Sequence, residues 1–115
     1  MSAPDLRAER PPHDLAALDA LADDLAGMGV PFERSQMFGC PGLRRPGKGK
    51  FFATVLGRDV MFKLEGEAHA EALGLDGSHL FQPMEGRPAM KQWVVVPAAH
   101  ADRWPEFGAA AEASL

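Results

Sequence analysis

Apolar residues recur every three or four positions between residues 14 and 28, which is the spacing of one stripe along an amphipathic helix. The acidic residues of this stretch lie off the stripe, two prolines precede it, and a glycine at 27 or 29 can end it. We therefore predict a first helix over residues 14–28 that packs its stripe into the core. The stripe consists of Leu15, Leu18, Leu21, Leu25 and Met28.

From residue 32 onward the apolar period shortens to about two, which is typical of β-strands. Residues 51–56 form the strongest case, and Gly57-Arg58 suits a tight hairpin because glycine fits the first central position of a mirror-type turn. Pro41-Gly42 and Pro46-Gly47 are predicted to be turns. The strands predicted in this half are Phe32–Phe38, Phe51–Leu56 and Val60–Leu64.

The hairpin predicted at residues 51–64 carries large apolar side chains on both faces, whereas a sheet with one wet face would alternate more cleanly. We therefore expect the second face to be covered by a helix, by the C-terminal segment or by another copy of the chain, so that a homodimer is one prediction. Strict alternation assigns Phe51, Ala53 and Val55 to one face, and Phe52, Thr54 and Leu56 to the other.

Short helices and strands follow in the second half of the chain. Pro97 can open a final helix at a tolerated first position, and Pro105 breaks or restarts that helix. A turn is expected around Pro83–Pro88. The remaining elements are a helix over Gly66–Leu73, a short strand over Leu80–Gln82 and a strand over Trp93–Val96.

These elements predict an α+β fold in which helices pack against an antiparallel sheet of about five strands, in the order α-β-β-β-α-β-β-α. A chain of 115 residues is the size of one domain and can bury a single hydrophobic core. The polar, Pro-rich residues 1–12 are interpreted as a disordered arm, and residues 13–115 as the domain. No apolar run is long enough to span a membrane, and none resembles a secretory signal.

Charge is distributed unevenly although the net charge is only −4. Residues 34–63 hold seven basic residues and one acid, so the remainder of the chain is strongly acidic. Such asymmetry can mark a binding face for an anionic partner. The simpler interpretation is that acidic helices lie beside a basic hairpin and offset its charge.

The basic segment Arg44–Lys50, which surrounds the predicted Pro46-Gly47 turn, is the best functional candidate. A basic loop beside a hairpin can reach phosphates, as DNA-contacting β-ribbons do, and its glycines let backbone N–H groups approach an anion. It lacks the spacing of a phosphate-binding Walker loop, and no aromatic residues interleave with it. The alternative is a solvated loop. The proposed nucleic-acid or anion contacts are Arg44, Arg45, Lys48 and Lys50.

Cys40 is the single cysteine, so an internal disulfide is impossible and a reduced, cytoplasmic location is expected. Neighbouring arginines could stabilise its thiolate, but a nucleophilic cysteine also needs a base, and only His79 or His100 could approach it in space. A structural thiol is the simpler interpretation. The histidines show no metal-ligand spacing, so we expect no metal and no other cofactor.

Several residues around Cys40 fit either a core or the floor of a pocket. Methionine and phenylalanine fill cores more often than they line sites, and glycine permits close packing or unusual backbone angles. Lys63 lies on a predicted strand among apolar neighbours and either extends its ammonium to the sheet edge or lines a pocket. The other members of this set are Met37, Phe38, Gly39 and Gly42.

Short motifs spread over residues 32–104 resemble the TfoX N-terminal-domain family, which is named for a bacterial competence regulator and is similar to YjbR-like domains. The later motifs look like those of small stand-alone members. The resemblance implies a compact α+β domain and implies no catalytic residues; Cys40 replaces the family's usual second glycine. The motifs are Gln36-Met37-Phe38-Gly39, Gly42-Leu43, Gly49, Phe52-Ala53, Met61-Phe62-Lys63, Phe81-Gln82-Pro83-Met84, Gly86-Arg87-Pro88 and Trp93–Pro97.

The favoured hypothesis is a non-enzymatic regulatory domain that contacts protein or nucleic acid. Two hypotheses from other classes stay open. One is a small-molecule-binding or thiol-dependent enzyme built around Cys40, and the other is a dimeric scaffold whose sheet face is its function.

Overall fold

The computed structural model describes residues 14–37, 39–82, 86 and 88–115. The arm expected at residues 1–12 and most of the turn expected at Pro83–Pro88 lie outside these residues. The helices are α1 (Leu15–Gly27), α2 (Gly66–Leu73) and α3 (Trp104–Ala113), with a 3₁₀ helix (Ala98–Arg103) before α3; the strands are β1 (Glu33–Met37), β2 (Cys40–Arg44), β3 (Phe51–Leu56), β4 (Asp59–Lys63), β5 (His79–Phe81) and β6 (Met90–Val96).

The predicted α+β class is confirmed, with all strand pairs antiparallel in one sheet of order β1-β2-β3-β4-β6-β5. The described strands number six instead of about five. α1 matches its predicted stripe, α2 has its predicted bounds, and the chain restarts as α3 at Trp104 with Pro105 in its first turn.

The predicted turn at Pro41-Gly42 is wrong, because both residues lie inside β2. Met37 pairs with Cys40, and Gly39 between them adopts φ +77°, a left-handed conformation that glycine adopts without steric cost. Pro41 is tolerated because the pairing of β2 with β3 begins only at the next residue, so no ladder bond to β3 needs its missing N–H group. Because proline and glycine are typical of turns, the sequence pattern did not indicate this inner strand.

The predicted faces of β3 need a second correction. Leu43 pairs with Ala53 whereas Arg44 pairs with Phe51, so β3 contains one extra residue, Phe52. A β-bulge of this kind breaks the strict alternation of side chains. Phe52 therefore joins Ala53 in the core beneath the helices, and Phe51 packs on the other face.

The helices cover the first face of the sheet and form the main core with it. Leu21 and Leu25 of α1 and Phe107 of α3 are buried there, and the Phe107 ring lies 6.1 Å from that of Phe62. Trp104 is also buried, and its Nε1 donates a hydrogen bond to the Val96 carbonyl at 3.2 Å. This bond fixes the restart of the final helix against β6.

A smaller apolar cluster covers the second face. Met61 and Val95 are buried at its centre. Large side chains from β1, β3 and β6 pack around them within the same chain. The centre of the second face is therefore buried within one chain, whereas the residues at its margin are only partly buried, and the homodimer stays a prediction. The cluster consists of Met61, Phe81, Trp93 and Val95, with Met37, Phe51, Leu56 and Met90 packed against it.

Gly42 provides a test of the corrected strand. A Cβ atom there would lie 2.7 Å from the Ala53 carbonyl oxygen and 3.0 Å from Oγ1 of Thr54. Because the backbone atom cannot easily move, we expect Gly42→Ala to lower the free energy of unfolding by about 1–3 kcal/mol in urea denaturation.

The matched control is Gly27→Ala at the end of α1, where an added Cβ meets no atom within 4 Å. We expect this variant to be neutral or up to about 1 kcal/mol more stable. Equal effects of the two substitutions would contradict the packing of β2 against β3.

Candidate functional site

All four lysines of the chain lie at one end of the sheet. At this end β2 and β4 finish and β3 and β6 begin, as their antiparallel registers require. We call it the lysine end. Lys48 and Lys50 belong to the β2–β3 loop, Lys63 ends β4, and Lys91 is the second residue of β6.

Glu33 braces the β2–β3 loop from the first strand. Its carboxylate accepts hydrogen bonds from Nε of Arg44 at 2.8 Å and from the backbone N–H of Gly47 at 2.9 Å. The Gly47 bond, with Arg44 beside it, lowers the pKa of Glu33. Arg44 also lies over the Phe51 ring, 5.8 Å from its centroid. One carboxylate thus holds an arginine and the loop backbone together.

Arg45 ties the same loop to the last helix. Its Nε lies 3.0 Å from the Glu112 carboxylate, and its guanidinium also donates to the Glu112 carbonyl at 3.3 Å. Because a carboxylate already occupies part of the donors of each guanidinium and offsets its charge, we consider Arg44 and Arg45 weaker candidates than their sequence position indicated.

Backbone bonds close the loop at its base. The Arg45 N–H donates to the Lys50 carbonyl at 3.0 Å, and the Gly49 N–H donates to the Arg45 carbonyl at 2.9 Å. Lys48 adopts φ +62° at the tip, a conformation that is uncommon for a residue with a Cβ atom. Lys48 and Lys50 are exposed, and neither forms an ion pair with a described residue.

The helices offset part of the basic segment, as the simpler interpretation of the charge pattern proposed. Asp19 of α1 pairs with Arg34 at 2.7 Å, and Glu112 of α3 pairs with Arg45. Four of the seven basic residues have no carboxylate partner within the described part of the chain, and three of these four lie at the lysine end. They are Lys48, Lys50, Arg58 and Lys63, of which Arg58 lies at the opposite end of the sheet.

The structure places Cys40 away from a general base. Its side chain is buried, and this burial raises the pKa of the thiol. His79 lies on β5, four strands from β2, which is about 19 Å along the sheet at the usual strand spacing. Nε2 of His100 lies 2.8 Å from the Asp76 carbonyl. These features are those of a structural thiol, not of an activated nucleophile.

The residues around Cys40 form the β1–β2 hairpin, and their role as a pocket floor stays a prediction. Met37 packs against the cluster on the second face, and Gly39 is exposed at the turn. Gly42 is buried against Ala53 and Thr54. Phe38 lies outside the described residues.

Lys63 does line a concave surface, as one of its two interpretations proposed. The surface is an open recess of about 520 Å³ beside the start of β6. Sequence reasoning missed the rest of its wall, because β6 was predicted to begin only at Trp93. The sequence did contain a signal for Lys91, because lysines are few in this chain. The recess is lined by Lys63, Ala89, Met90, Lys91, Gln92 and Trp93.

No family model, curated protein or solved structure matches this chain. The resemblance to TfoX N-terminal domains therefore stays a prediction that rests on the quoted motifs, as does the cytoplasmic location. Within residues 14–37, 39–82, 86 and 88–115, no three metal-ligating side chains are grouped closely enough to hold an ion. No helix in that part of the chain has the length and apolar composition needed to cross a bilayer.

The Glu33 brace predicts a pH-dependent contribution to stability. A carboxyl group whose pKa is lowered by folding stabilises the folded state above its unfolded-state pKa, and that contribution is lost as the pH falls through the folded-state value. We expect Glu33→Gln to be less stable than the wild type at pH 7, in thermal denaturation. The difference should begin to shrink near pH 4.5, the ordinary pKa of Glu, and disappear below the lowered folded-state pKa. A difference that persists unchanged into acid would contradict the brace.

Burial of Cys40 predicts slow alkylation. At pH 8 we expect iodoacetamide to label the folded protein at least about tenfold more slowly than a free model thiol, because the side chain is buried and its thiolate is disfavoured. The urea-unfolded chain, in which the thiol is accessible, serves as the control. Labelling as fast as the model thiol would restore the hypothesis of a reactive cysteine.

Proposed function

We propose that this chain is a non-enzymatic regulatory domain of the TfoX N-terminal type that contacts the phosphate backbone of nucleic acid through its β2–β3 loop. The observation that carries this proposal is the difference in ion pairing between the arginines and the lysines of the loop. Arg44 and Arg45 are held by carboxylates, whereas Lys48 and Lys50 are exposed and have no ion-pair partner among the described residues.

A braced loop favours binding because less conformational entropy is lost when the partner arrives. Glu33 and Glu112 fix the base of the loop from two sides, and two backbone bonds close it. Lysine ammonium groups bind phosphates as point charges and place no demand on base sequence. The expected contact is therefore a non-specific, salt-sensitive one.

The overall charge of −4 limits this contact to a local surface. Two phosphate contacts give weak binding by themselves, so the proposed role is to position the domain and not to select a sequence. The thiol-dependent enzyme has less support because Cys40 is buried with a raised pKa. The dimeric scaffold has less support because the centre of the second face is buried within one chain.

Fluorescence anisotropy with a labelled DNA duplex over a salt series tests the proposal. If Lys48 and Lys50 each contact one phosphate, the double variant Lys48→Gln/Lys50→Gln should weaken binding and reduce the slope of log K against log salt by about 1.8. The matched control is Arg58→Gln, which removes a cation at the opposite end of the sheet that has no carboxylate partner in the described part of the chain, and which should leave the slope unchanged.

Absence of binding by the wild type at low salt would refute the proposal. So would equal losses in the double variant and in the Arg58 control, because these would indicate a general charge effect. Urea denaturation of each variant verifies that the fold is unchanged.

A further inference from the structure

We infer that the recess between Lys63 and Lys91 is a binding site for a small organic anion with a flat or apolar body. This inference does not depend on the nucleic-acid proposal, because the recess uses neither Lys48 nor Lys50. It rests on the position of one lysine, the chemistry of the wall and the fixed backbone of the rim.

Lys63 occupies an unusual position for a lysine. It lies on β4, between β3 and β6, and pairs directly with Trp93. The residue before it on the same face, Met61, is completely buried. The Lys63 residue is partly buried, and none of the described carboxylates lies within 4 Å of its ammonium group, so that its charge is not offset by an ion pair among the described residues. An external anion would offset that charge.

The wall of the recess combines a second cation with apolar surface. Lys91 lies on the neighbouring strand two residues before Trp93, which pairs with Lys63, and the partly buried Met90 and the buried Trp93 also line the recess. Two ammonium groups around an apolar wall match a molecule with an anionic group and an apolar body. The volume of about 520 Å³ falls within the usual range for small-molecule sites.

The rim of the recess is held by the fold. The Lys91 carbonyl lies 2.7 Å from Nε2 of His69, which donates to it from α2. The Leu64 N–H donates to the Gln92 carbonyl at 2.8 Å and continues the pairing of β4 with β6. The backbone positions from which the two lysine side chains extend are therefore fixed before a ligand binds.

The competing interpretation is that Lys63 merely extends its aliphatic stem over Trp93 and places its ammonium in water. That interpretation predicts no saturable binding of any anion. It also predicts that a polar, uncharged residue at position 63 would change no binding property. The two interpretations therefore give opposite results in a titration.

The test is a titration of the ¹⁵N-labelled full chain with phenyl phosphate, followed by amide chemical shifts. We expect saturable shifts confined to Lys63 and residues 89–93. Inorganic phosphate, which lacks the apolar body, and benzyl alcohol, which lacks the charge, should each bind at least about tenfold more weakly. Benzoate should bind at the same residues, because the site recognises an anionic group and not phosphorus.

Three variants locate the interaction. Lys63→Gln should raise the dissociation constant for phenyl phosphate about tenfold, in line with the loss of a hydrogen bond to a charged group. Lys63→Arg retains the charge and should stay within about threefold of the wild type. Lys50→Gln removes a lysine outside the recess and should have no effect. Thermal denaturation of each variant verifies its fold.

Each other outcome overturns the inference. Absence of saturable shifts at 20 mM phenyl phosphate would show that the recess is not a site. Equal affinity of the wild type and Lys63→Gln would show that Lys63 does not bind the anion. Shifts confined to the β2–β3 loop would assign the binding to Lys48 and Lys50 instead.

Discussion

Burial of the β3–β4 hairpin on both faces is the constraint on which the rest of the structure depends. Met61 and Phe62 are adjacent on β4 and point to opposite faces, yet both are completely buried. A charged group in the middle of this sheet would have to lose its hydration on either face. Charged chemistry is therefore confined to the ends of the sheet and to the outer surfaces of the helices.

At the ends of the sheet, arginine and lysine have different roles. Every described arginine except Arg58 pairs with a carboxylate, whereas none of the four lysines does so within the described residues. The planar guanidinium forms several directed bonds at once and suits a structural brace, as where Arg103 binds both Glu71 and Glu106. Lysine keeps a hydrated, mobile charge that can accept an external anion.

Local patterns predicted the elements whose residues carry their own signal. The apolar stripe of α1 and the restart of the chain at Pro105 needed no distant information, and both are confirmed. The strand β2 was missed because Pro41 and Gly42 are typical turn residues. The neighbouring strands accommodate both the missing N–H group of Pro41 and the missing side chain of Gly42. The bulge at Phe52 was missed for a similar reason, since it appears only when β2 and β3 are aligned.

The candidate site was predictable only in part, because its properties arise from residues far apart in sequence. The basic loop was visible, but Glu112 lies 67 residues from Arg45 and its effect depends on the fold. Lys63 was identified as a possible pocket residue, whereas its partner Lys91 depends on β6 pairing with β4. The sequence therefore identified the cationic residues, and the topology of the fold determined which of them are available to bind an anion.

The central claim is that the four lysines at one end of the sheet, which form no ion pair with the described residues, make two separate anion sites. The most direct test is reductive dimethylation of the lysines with ¹³C-formaldehyde, which keeps their charge and gives each of the four a methyl signal. The account predicts that a DNA duplex shifts the signals of Lys48 and Lys50, and that phenyl phosphate shifts those of Lys63 and Lys91. Four signals that respond to neither ligand, or equally to both, would contradict it.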